Sequence, residues 1–233
     1  IKCLLCPREC LLSEGQKGFC RSREVINGSF VATAYGKTTS LALDPIEKKP
    51  LYHFHPGSMI VSLGPNSCNL TCKFCQNWEI SQQDCPTRYL LIEDLIDIIK
   101  NQQDQQVAFT YTEPLMWYEY ILDFAEKAPE IDIVLVTNAY INKEPWRNMM
   151  QYVKAVNIDI KSYKDEFYRK ICGGKLDIVL SNIIIAKDMG VHLELTNLLI
   201  PGYNNSDEEL TNLSQFIASV DKNIPLDLSA YYP

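Results

Sequence analysis

From Ser58 onward, short apolar runs alternate with longer amphipathic stretches, and this alternation restricts the fold more than any other feature of the chain. The apolar runs predict strands at Met59–Leu63, Val107–Thr110, Asp132–Thr137, Ala155–Ile160, His192–Leu198 and Leu226–Tyr231. The stretches between them predict helices at Ile92–Lys100, Leu115–Lys127, Lys143–Tyr152 and Asp177–Met189. Several of the strands are apolar almost throughout, as expected for parallel strands that are covered on both faces.

Strands and helices that alternate in this way predict an α/β fold, specifically a partial (β/α)6 TIM-like barrel. Six strands are fewer than the eight of a closed barrel. We therefore expect an open lateral side that admits a bulky substrate, such as a peptide or protein segment. In folds of this kind the chemistry takes place at the carboxyl ends of the strands.

The first 55 residues lack this alternation and are rich in cysteine. Four cysteines lie near the amino terminus: Cys3, Cys6, Cys10 and Cys20. They suffice for one tetrahedral zinc ion or one extra iron–sulfur cluster, and their spacing leaves both open, together with unmetallated thiols. We predict a small Cys-rich metal-binding N-terminal appendage at residues 1–55 and the partial barrel at residues 56–233. Because the chain ends directly after a strand-like run, we expect it to continue beyond residue 233.

A second cysteine group follows the first predicted strand, in the segment Cys68-Asn-Leu-Thr-Cys72-Lys-Phe-Cys75. Three thiolates on one short loop can bind three irons of a cubane cluster and leave the fourth iron free for a substrate or cofactor. Phe74, next to the last of these cysteines, can lie against a planar base. The alternative is a zinc site closed by Cys85, with nine residues between Cys75 and Cys85.

The composition narrows the classes of partner. A formal net charge of -7 argues against a nonspecific binder of nucleic acids or anionic membranes. No apolar run approaches the ~18 residues of a membrane span, and no secretory signal is present at the start. Nine cysteines in clustered spacings fit metal binding in a reducing compartment better than a disulfide framework. We therefore expect a cytoplasmic protein with no membrane or nucleic-acid partner.

Polar residues end the predicted strands, and we expect them to meet the cysteine loop on one face of the barrel. They are Glu113, Thr137, Asn138, Asp159, Lys161, Thr196 and Asn197. Such a set suits a zwitterionic ligand, because carboxylates can bind its ammonium group and a lysine can bind its carboxylate. Amides and hydroxyls can bind ribose oxygens. We predict that this set forms a cofactor-binding site.

Other segments are given structural roles. Cys85 and Cys172 are expected to be ordinary thiols, since a buried free cysteine behaves as a small apolar side chain. The segments Asp44-Pro45 and Glu47-Lys-Lys49 are expected to form a turn and a solvated face. None of these segments is assigned a function.

Several of the site segments resemble the glycyl-radical-enzyme activases of the radical SAM superfamily, such as the pyruvate formate-lyase activases. Cys75-Gln-Asn77 is similar to their C-x-N motif, and the resemblance implies that Asn77 lines an S-adenosylmethionine site. Asp159-Ile-Lys161 looks like their Asp-Leu-Lys at the fourth strand. Glu113 stands where the activases carry a Gly-Gly-Glu turn, with Tyr111-Thr112 in place of the two glycines.

A longer resemblance, to the AmmeMemoRadiSam-type radical SAM enzymes, runs from residue 1 to residue 233. It is carried by Cys3-Leu-Leu-Cys6-Pro-Arg-Glu-Cys10, Asp44-Pro-Ile-Glu-Lys-Lys-Pro50 and Cys75-Gln-Asn-Trp-Glu-Ile-Ser-Gln82. That family tends to carry a histidine in its last strand, where this chain has Asp227. An aspartate can still accept hydrogen bonds from ribose hydroxyls, so Asp227 joins the predicted cofactor-binding residues.

Both resemblances imply a radical SAM enzyme, activase-like in character. Its cofactors would be S-adenosylmethionine and a [4Fe-4S] cluster on Cys68, Cys72 and Cys75. The number of N-terminal cysteines adds zinc or a second iron–sulfur cluster as a possible further cofactor. The implied reaction is reductive cleavage of S-adenosylmethionine to a 5′-deoxyadenosyl radical, which takes hydrogen from a peptide, protein or small-molecule substrate. The implied electron donor is a flavodoxin-like or ferredoxin-like protein. The alternative is a noncatalytic structural zinc protein that uses both cysteine groups.

Overall fold

The computed structural model describes residues 1–232. Its strands, in chain order, are β1 (Arg23–Ile26), β2 (Ser29–Ala32), β3 (Lys37–Pro45), β4 (Met59–Pro65), β5 (Arg88–Tyr89), β6 (Gln106–Phe109), β7 (Asp132–Thr137), β8 (Val153–Asp159), β9 (His192–Leu199) and β10 (Leu226–Ala230). The helices are α1 (Trp78–Ser81), α2 (Ile92–Lys100), α3 (Tyr118–Lys127), α4 (Lys143–Met150), α5 (Asp165–Phe167), α6 (Leu176–Asp188) and α7 (Asp207–Asp221). Short 3-10 turns occur at Ile46–Lys48 and Pro114–Trp117, and a π-helical turn occupies Tyr168–Cys172.

An eight-stranded sheet in the order β10-β9-β8-β7-β6-β4-β3-β5 forms the body of the protein. The six predicted strands correspond to β4, β6, β7, β8, β9 and β10, and neighbours among them pair in parallel. This order, with helices in the connections, confirms the α/β fold and the partial TIM-like barrel. Within residues 1–232 the edge strands β5 and β10 do not pair with each other, so the barrel stays open on that side.

Two antiparallel strands extend the sheet beyond β4. β3 pairs with β4 from Thr38 to Pro45, and β5 pairs with β3 through Lys37 and Thr38. Residues 37–45, which we assigned to the Cys-rich appendage, therefore belong to the barrel sheet. The division into residues 1–55 and 56–233 stays a prediction about domains, and it does not coincide with an edge of the sheet.

The Cys-rich segment packs directly against the barrel. Its β1 and β2 form a small antiparallel hairpin. Leu5 and Cys20 are part of the same apolar core as Leu63 of β4. The backbone N–H of Asn142, after β7, donates to the carbonyl of Leu5 at 3.0 Å. The N-terminal cysteines are thus held against the carboxyl-end loops of the barrel.

The barrel core holds the loops of the site in place. Phe109 of β6 packs edge-on against Trp117, Tyr120 and Phe124, with ring-centroid distances of 6.4, 6.4 and 5.8 Å. Burial of each such ring contributes about 1.5–3 kcal/mol, which fixes α3 and the turn before it on the end of β6. The covering helices are short or amphipathic, and within residues 1–232 none is both long and apolar enough to cross a membrane.

Candidate active site

The carboxyl ends of the parallel strands enclose a cavity of about 280 Å³. The three cysteines of the loop after β4, Cys68, Cys72 and Cys75, all line it. Other lining residues come from the predicted cofactor set: Phe74, Asn77, Glu113, Asn138, Asp159, Lys161 and Thr196. These side chains meet because parallel strands end at one edge of the sheet.

The cysteine loop is clamped between the N-terminal segment and the π-helical turn. The N–H of Thr71 donates to the carbonyl of Cys172 at 2.9 Å. The Arg8 guanidinium donates to the carbonyls of Asn69 and Gly173 at 2.6 and 2.7 Å. A Cβ atom at Gly173 would lie 2.7 Å from Thr71 Oγ1, and the φ of Gly173 is +74°, so the close approach requires glycine. The loop is therefore fixed by contacts distant in sequence.

Hydrogen-bond donors surround two of the three loop sulfurs. Cys68 Sγ accepts from the N–H of Leu70 at 3.4 Å and from Asn138 Nδ2 at 3.8 Å. Cys75 Sγ lies 3.3 Å from the hydroxyl of Ser81. Hydrogen bonds to sulfur are one of the factors that set the reduction potential of an iron–sulfur cluster. This surrounding is therefore suited to thiolates that bind a cluster.

The third loop thiol, Cys72, lies beside the buried Cys172. A hydrogen bond from Cys172 lowers the pKa of Cys72, and the nearby Lys161 cation lowers it further against the effect of burial. The same contact raises the pKa of Cys172. Cys172, which we expected to be an ordinary thiol, is thus a neighbour of the candidate cluster site.

Asp159 and Lys161 form an ion pair on the wall of the cavity, with 2.7 Å between Nζ and Oδ2. Their side chains are 35% and 18% exposed, so both remain accessible from the cavity. Burial lowers the pKa of Lys161, but the Asp159 carboxylate and the Cys72 sulfur outweigh it and raise the pKa overall. The pair presents one negative and one positive group side by side, as recognition of a zwitterion requires.

Glu113 is fully buried and is occupied with internal hydrogen bonds. Its carboxylate accepts from the N–H of Leu115 at 3.1 Å, the hydroxyl of Thr137 at 2.6 Å and the N–H of Asn138 at 2.8 Å. Burial raises the pKa of Glu113 to about 7 against these hydrogen bonds and the field of Lys161. The carboxylate therefore ties the end of β7 to the turn after β6. Thr137 does not line the cavity and acts through Glu113.

The turn before Glu113 keeps a glycine-like conformation although it carries Tyr111. Tyr111 has φ +67°, in the left-handed region that glycine favours. Its hydroxyl donates to Asp44 Oδ2 at 2.7 Å, and Lys49 Nζ lies 4.6 Å from the ring centroid. Its carbonyl accepts from Asn77 Nδ2 at 2.6 Å. These contacts offset the strain of the turn, of about 1–3 kcal/mol, and fix Asn77 at the cavity.

The prediction that the segment Glu47-Lys-Lys49 faces solvent is wrong for Lys49. Lys49 is only 2% exposed and forms an ion pair with Asp44 at 2.8 Å. Burial raises the pKa of Asp44, but hydrogen bonds from Lys49 and Tyr111 outweigh this effect and lower the pKa to about 2. The pair therefore supports the turn that carries Tyr111, instead of facing solvent.

Asn197 lies away from the cavity. Side chains alternate along a strand, and its neighbours Thr196 and Leu198 are the two residues of β9 that line the cavity. The Nδ2 of Asn197 donates instead to the carbonyl of Ile160 at 2.6 Å. This residue supports the connection between β8 and β9, and its place in the predicted cofactor set is not supported by the geometry.

On β10, Ser229 lines the cavity, and Asp227 accepts a hydrogen bond from the Ser229 hydroxyl at 2.8 Å. The predicted cofactor set did not include seven further lining residues: Leu70, Gln76, Ser81, Tyr111, Thr112, Leu198 and Ser229. The sequence could have indicated Ser229, because it lies two residues after the predicted Asp227 and residues two apart share a face of a strand. Leu70, Gln76, Tyr111 and Thr112 lie on irregular segments, where no period indicates direction, and Ser81 ends the short helix α1. Leu198 lies on β9 two residues after Thr196, so it could have been indicated in the same way as Ser229.

The N-terminal cysteines share a second, smaller space. Its lining contains Cys3, Cys6, Cys10 and Cys20, with Arg8 and Arg23 and with Leu5, Leu12, Phe19 and Met116. Burial raises the pKa of Cys3, and it raises the pKa of Cys6 to about 11. Across residues 1–232, no three His, Cys, Asp or Glu side chains lie close enough to hold a single metal ion. The N-terminal group and the loop group are alike in this respect.

The comparisons with known proteins agree with this geometry. The model of the radical SAM superfamily matches residues 64–214, which contain the cysteine loop and the strands from β6 to β9. The chain is 41% identical over 239 residues to an uncharacterized protein of Methanocaldococcus jannaschii, across 100% of this chain and 71% of that protein. A 4-hydroxyphenylacetate decarboxylase activating enzyme of Clostridium scatologenes is 28% identical over 63% of this chain and 52% of its own length.

Among solved structures, Streptococcus suis SuiB bound to precursor peptide SuiA matches with a TM-score of 0.54 and 15% identity. The match covers 71% of this chain and 37% of that chain, and it concerns the fold alone. The chain spans only about half the length of the activating enzyme that it matches. The family model nevertheless covers the cysteine loop and most of the barrel. The chain therefore belongs to the radical SAM superfamily, as the resemblance of its site segments implied, and is an enzyme of that class.

Proposed function

We propose that this chain is an activase-like radical SAM enzyme. In this proposal it cleaves S-adenosylmethionine reductively, and the 5′-deoxyadenosyl radical takes a hydrogen atom from a peptide or protein substrate. The observation that carries the proposal is that three loop cysteines and the Asp159–Lys161 ion pair line one cavity. Reductive cleavage needs a one-electron donor beside a site for a zwitterionic cofactor, and the cavity offers ligands for both.

The donor set at the loop fits a [4Fe-4S] cluster. Cys68, Cys72 and Cys75 would hold three of its irons, with hydrogen bonds already directed at two of the sulfurs. When bound, the cluster supplies single electrons and one iron free of protein ligands. Within residues 1–232, the wall of this cavity contains no fourth cysteine and no histidine, which leaves the free position to the cofactor.

The charged residues of the wall would orient the amino-acid end of S-adenosylmethionine. Asp159 carries the carboxylate for its ammonium group, and Lys161 carries the ammonium for its carboxylate. Glu113, which accepts three internal hydrogen bonds, is a positioning residue that holds the strand ends in register. Thr137 shares this positioning role, because its hydroxyl donates to Glu113.

The nucleoside end of the cofactor would contact other lining residues. Phe74 supplies an aromatic face for the adenine, and Thr196 and Ser229 supply hydroxyls for the ribose. Asn77 is held at the cavity by its hydrogen bond to the Tyr111 carbonyl. The proposal therefore keeps Phe74, Asn77 and Thr196 as cofactor-binding residues and adds Ser229 on β10.

A peptide or protein substrate is favoured by the open side of the barrel and by the relatives. The edge strands β5 and β10 leave a lateral opening, which can admit a polypeptide segment. The Clostridium scatologenes relative is named as the activating enzyme of another protein, and the SuiB structure contains a precursor peptide. The electron donor would be a flavodoxin-like or ferredoxin-like protein, because the reaction consumes one electron at a time.

The proposal can be tested with anaerobically purified protein, S-adenosylmethionine and dithionite. We expect 5′-deoxyadenosine and methionine in equal amounts, and we expect deuterium from a labelled peptide or protein substrate to enter the 5′-deoxyadenosine. No 5′-deoxyadenosine from protein that carries iron and sulfide would contradict the proposed chemistry. Deuterium transfer from small molecules alone would contradict the proposed substrate class.

A further inference from the structure

We propose that Cys3, Cys6, Cys10 and Cys20 bind a second iron–sulfur cluster, separate from the one at the loop. The carrying observation is that all four thiols line one enclosed space, although they come from different turns of an irregular segment. Backbone hydrogen bonds hold them there: the N–H of Cys3 donates to the carbonyl of Cys10 at 2.9 Å. Four thiolates fill every iron of a cubane, so this cluster would have no free position.

Two arginines give the space the charge that such a cluster needs. A cluster with four thiolates is an anion, and its burial requires nearby cations or hydrogen-bond donors. Arg8 and Arg23 both line the space. Arg23 is only 9% exposed, and its Nε has no hydrogen-bond partner among residues 1–232, although its Nη2 binds Glu119. A buried guanidinium N–H without a partner is costly, and it marks a place for an anion.

The rest of the lining also suits a buried cluster. Leu5 and Leu12 are buried, Phe19 lies under the Arg8 guanidinium at 3.4 Å, and Met116 comes from the barrel. Apolar walls keep water away from a cluster and help to set its potential. The Cys20 sulfur lies 3.0 Å from the hydroxyl of Ser22, as the Cys75 sulfur lies 3.3 Å from Ser81 in the loop.

Four thiolates can hold either a tetrahedral zinc ion or a cubane cluster. The two centres differ in composition, because a cubane contains four irons and inorganic sulfide and a zinc site contains neither. Iron and sulfide content therefore decides between them.

The proposed site is directly joined to the active loop. The hydroxyl of Ser67 donates to the carbonyl of Cys20 at 2.6 Å, and Ser67 is followed at once by Cys68. The backbone carbonyl of Asn69 accepts from Arg8 at 2.6 Å. The segment from Ser67 to Asn69 therefore contacts both cysteine groups.

The test uses the full chain, purified without oxygen, in three forms. The first variant, Cys68→Ala/Cys72→Ala/Cys75→Ala, removes the loop ligands and leaves the N-terminal group intact. The second variant, Cys6→Ala/Cys20→Ala, does the reverse. Cys85→Ala is the matched control, because Cys85 lines neither space. Iron, sulfide and zinc are measured in each, followed by electron paramagnetic resonance after reduction.

We expect about eight irons and eight sulfides in the wild type and in the control, and about four of each in the loop variant. Addition of S-adenosylmethionine should leave the spectrum of the loop variant unchanged, because four thiolates leave no free iron. A loop variant that retains only zinc, or no metal, would overturn this proposal while leaving the proposed function intact. Failure of the proposed function would show differently, as loss of all iron from Cys6→Ala/Cys20→Ala. Should that second variant not fold, the loop variant decides alone.

Discussion

The two cysteine groups of this chain are neighbours in space but differ in number and in surroundings. The loop group has three thiols on the wall of a cavity that also carries the Asp159–Lys161 ion pair. The N-terminal group has four thiols in a smaller space with apolar walls and two arginines. Three ligands leave an iron free for a cofactor, whereas four ligands fill a cluster. The count of thiolates and the polarity of the wall thus point to the same division of roles.

The difference shows how one short segment can serve two sites. The segment from Ser67 to Asn69 contacts the N-terminal group through Cys20 and Arg8, and it begins the loop of the proposed catalytic cluster. The N-terminal group therefore helps to position this loop, and in our proposal it also binds a cluster of its own. Substitutions that change one cysteine group and leave the other intact therefore test this comparison most directly.

The largest expected effect is from Cys72→Ala. Removal of one of three loop ligands should lower the rate of 5′-deoxyadenosine formation by more than ~100-fold, because even ligand-supporting residues are worth ~10–100-fold at metal sites. The product is measured by chromatography with dithionite as the reductant. Cys85→Ala should keep the wild-type rate, since Cys85 lies outside the cavity lining. Equal rates of 5′-deoxyadenosine formation in the two variants would contradict the assignment of Cys72 as a cluster ligand.

A smaller effect is expected from Asp159→Asn. Loss of the carboxylate removes a charge-assisted contact with the ammonium group of S-adenosylmethionine, worth ~1.5–3 kcal/mol, so the dissociation constant should rise by at least about 10-fold. Equilibrium binding to the anaerobic holoenzyme measures this change. Asp165→Asn on α5, which breaks an exposed ion pair with Arg169 of the π-helical turn, is the matched control. If Asp159→Asn bound S-adenosylmethionine with unchanged affinity, a residue other than Asp159 would bind the ammonium group.

Glu113→Gln tests the positioning role through pH. The pKa of Glu113 is raised by burial to about 7, from an ordinary value of 4.5, so the folded protein binds more protons than the unfolded chain between these values. The stability that protonated Glu113 contributes is therefore present below pH 4.5 and is lost as the pH rises through about 7.

The wild type should consequently lose part of its advantage in melting temperature over Glu113→Gln between pH 5 and pH 8. Scans at matched heating rates measure the difference, and Glu126→Gln on the exposed face of α3 is the control. An advantage that grows with pH would contradict the sign of the pKa shift. It would indicate an ionised Glu113 that the surrounding N–H groups stabilise.

The smallest expected effects are shifts in the reduction potentials of the two proposed clusters, and each shift should concern one cluster only. Ser81→Ala removes the hydroxyl beside Cys75, and Ser22→Ala removes the hydroxyl beside Cys20. Each should shift the reduction potential of its own cluster by the order of tens of millivolts and leave the other unchanged. Redox titration followed by electron paramagnetic resonance measures both potentials. If Ser81→Ala shifted the potential of the N-terminal cluster, or Ser22→Ala that of the loop cluster, the assignment of the two clusters to their cysteine groups would be wrong.

Much of the fold could be predicted from periodicity, and most of the candidate site from one topological rule. Parallel strands such as β4, β6 and β7 were found because buried strands leave continuous apolar runs. Because parallel strands end at one edge of the sheet, residues such as Asn138 and Lys161 could be predicted to lie near the cysteine loop, and they line the same cavity. Asn197 was misplaced because the pair Thr196-Asn197 was taken together, although adjacent strand residues face opposite sides.

The rest depended on contacts that sequence patterns do not show. The left-handed Tyr111 is stabilised by Asp44 and Lys49, which lie more than sixty residues away in the chain. β3 joins the barrel through pairing with β4, and nothing in its composition distinguishes it from a strand of a separate appendage. Cys172 approaches Cys72 only because a π-helical turn returns to the loop. In each case tertiary packing decides the outcome.

The central claim is that the loop holds a cluster with a position free for S-adenosylmethionine. Cys6→Ala/Cys20→Ala isolates that cluster from the proposed second one. After reduction, addition of S-adenosylmethionine to this variant should change the electron paramagnetic resonance spectrum, because the cofactor binds the iron that no cysteine holds. A spectrum that stays the same at saturating S-adenosylmethionine would contradict the claim.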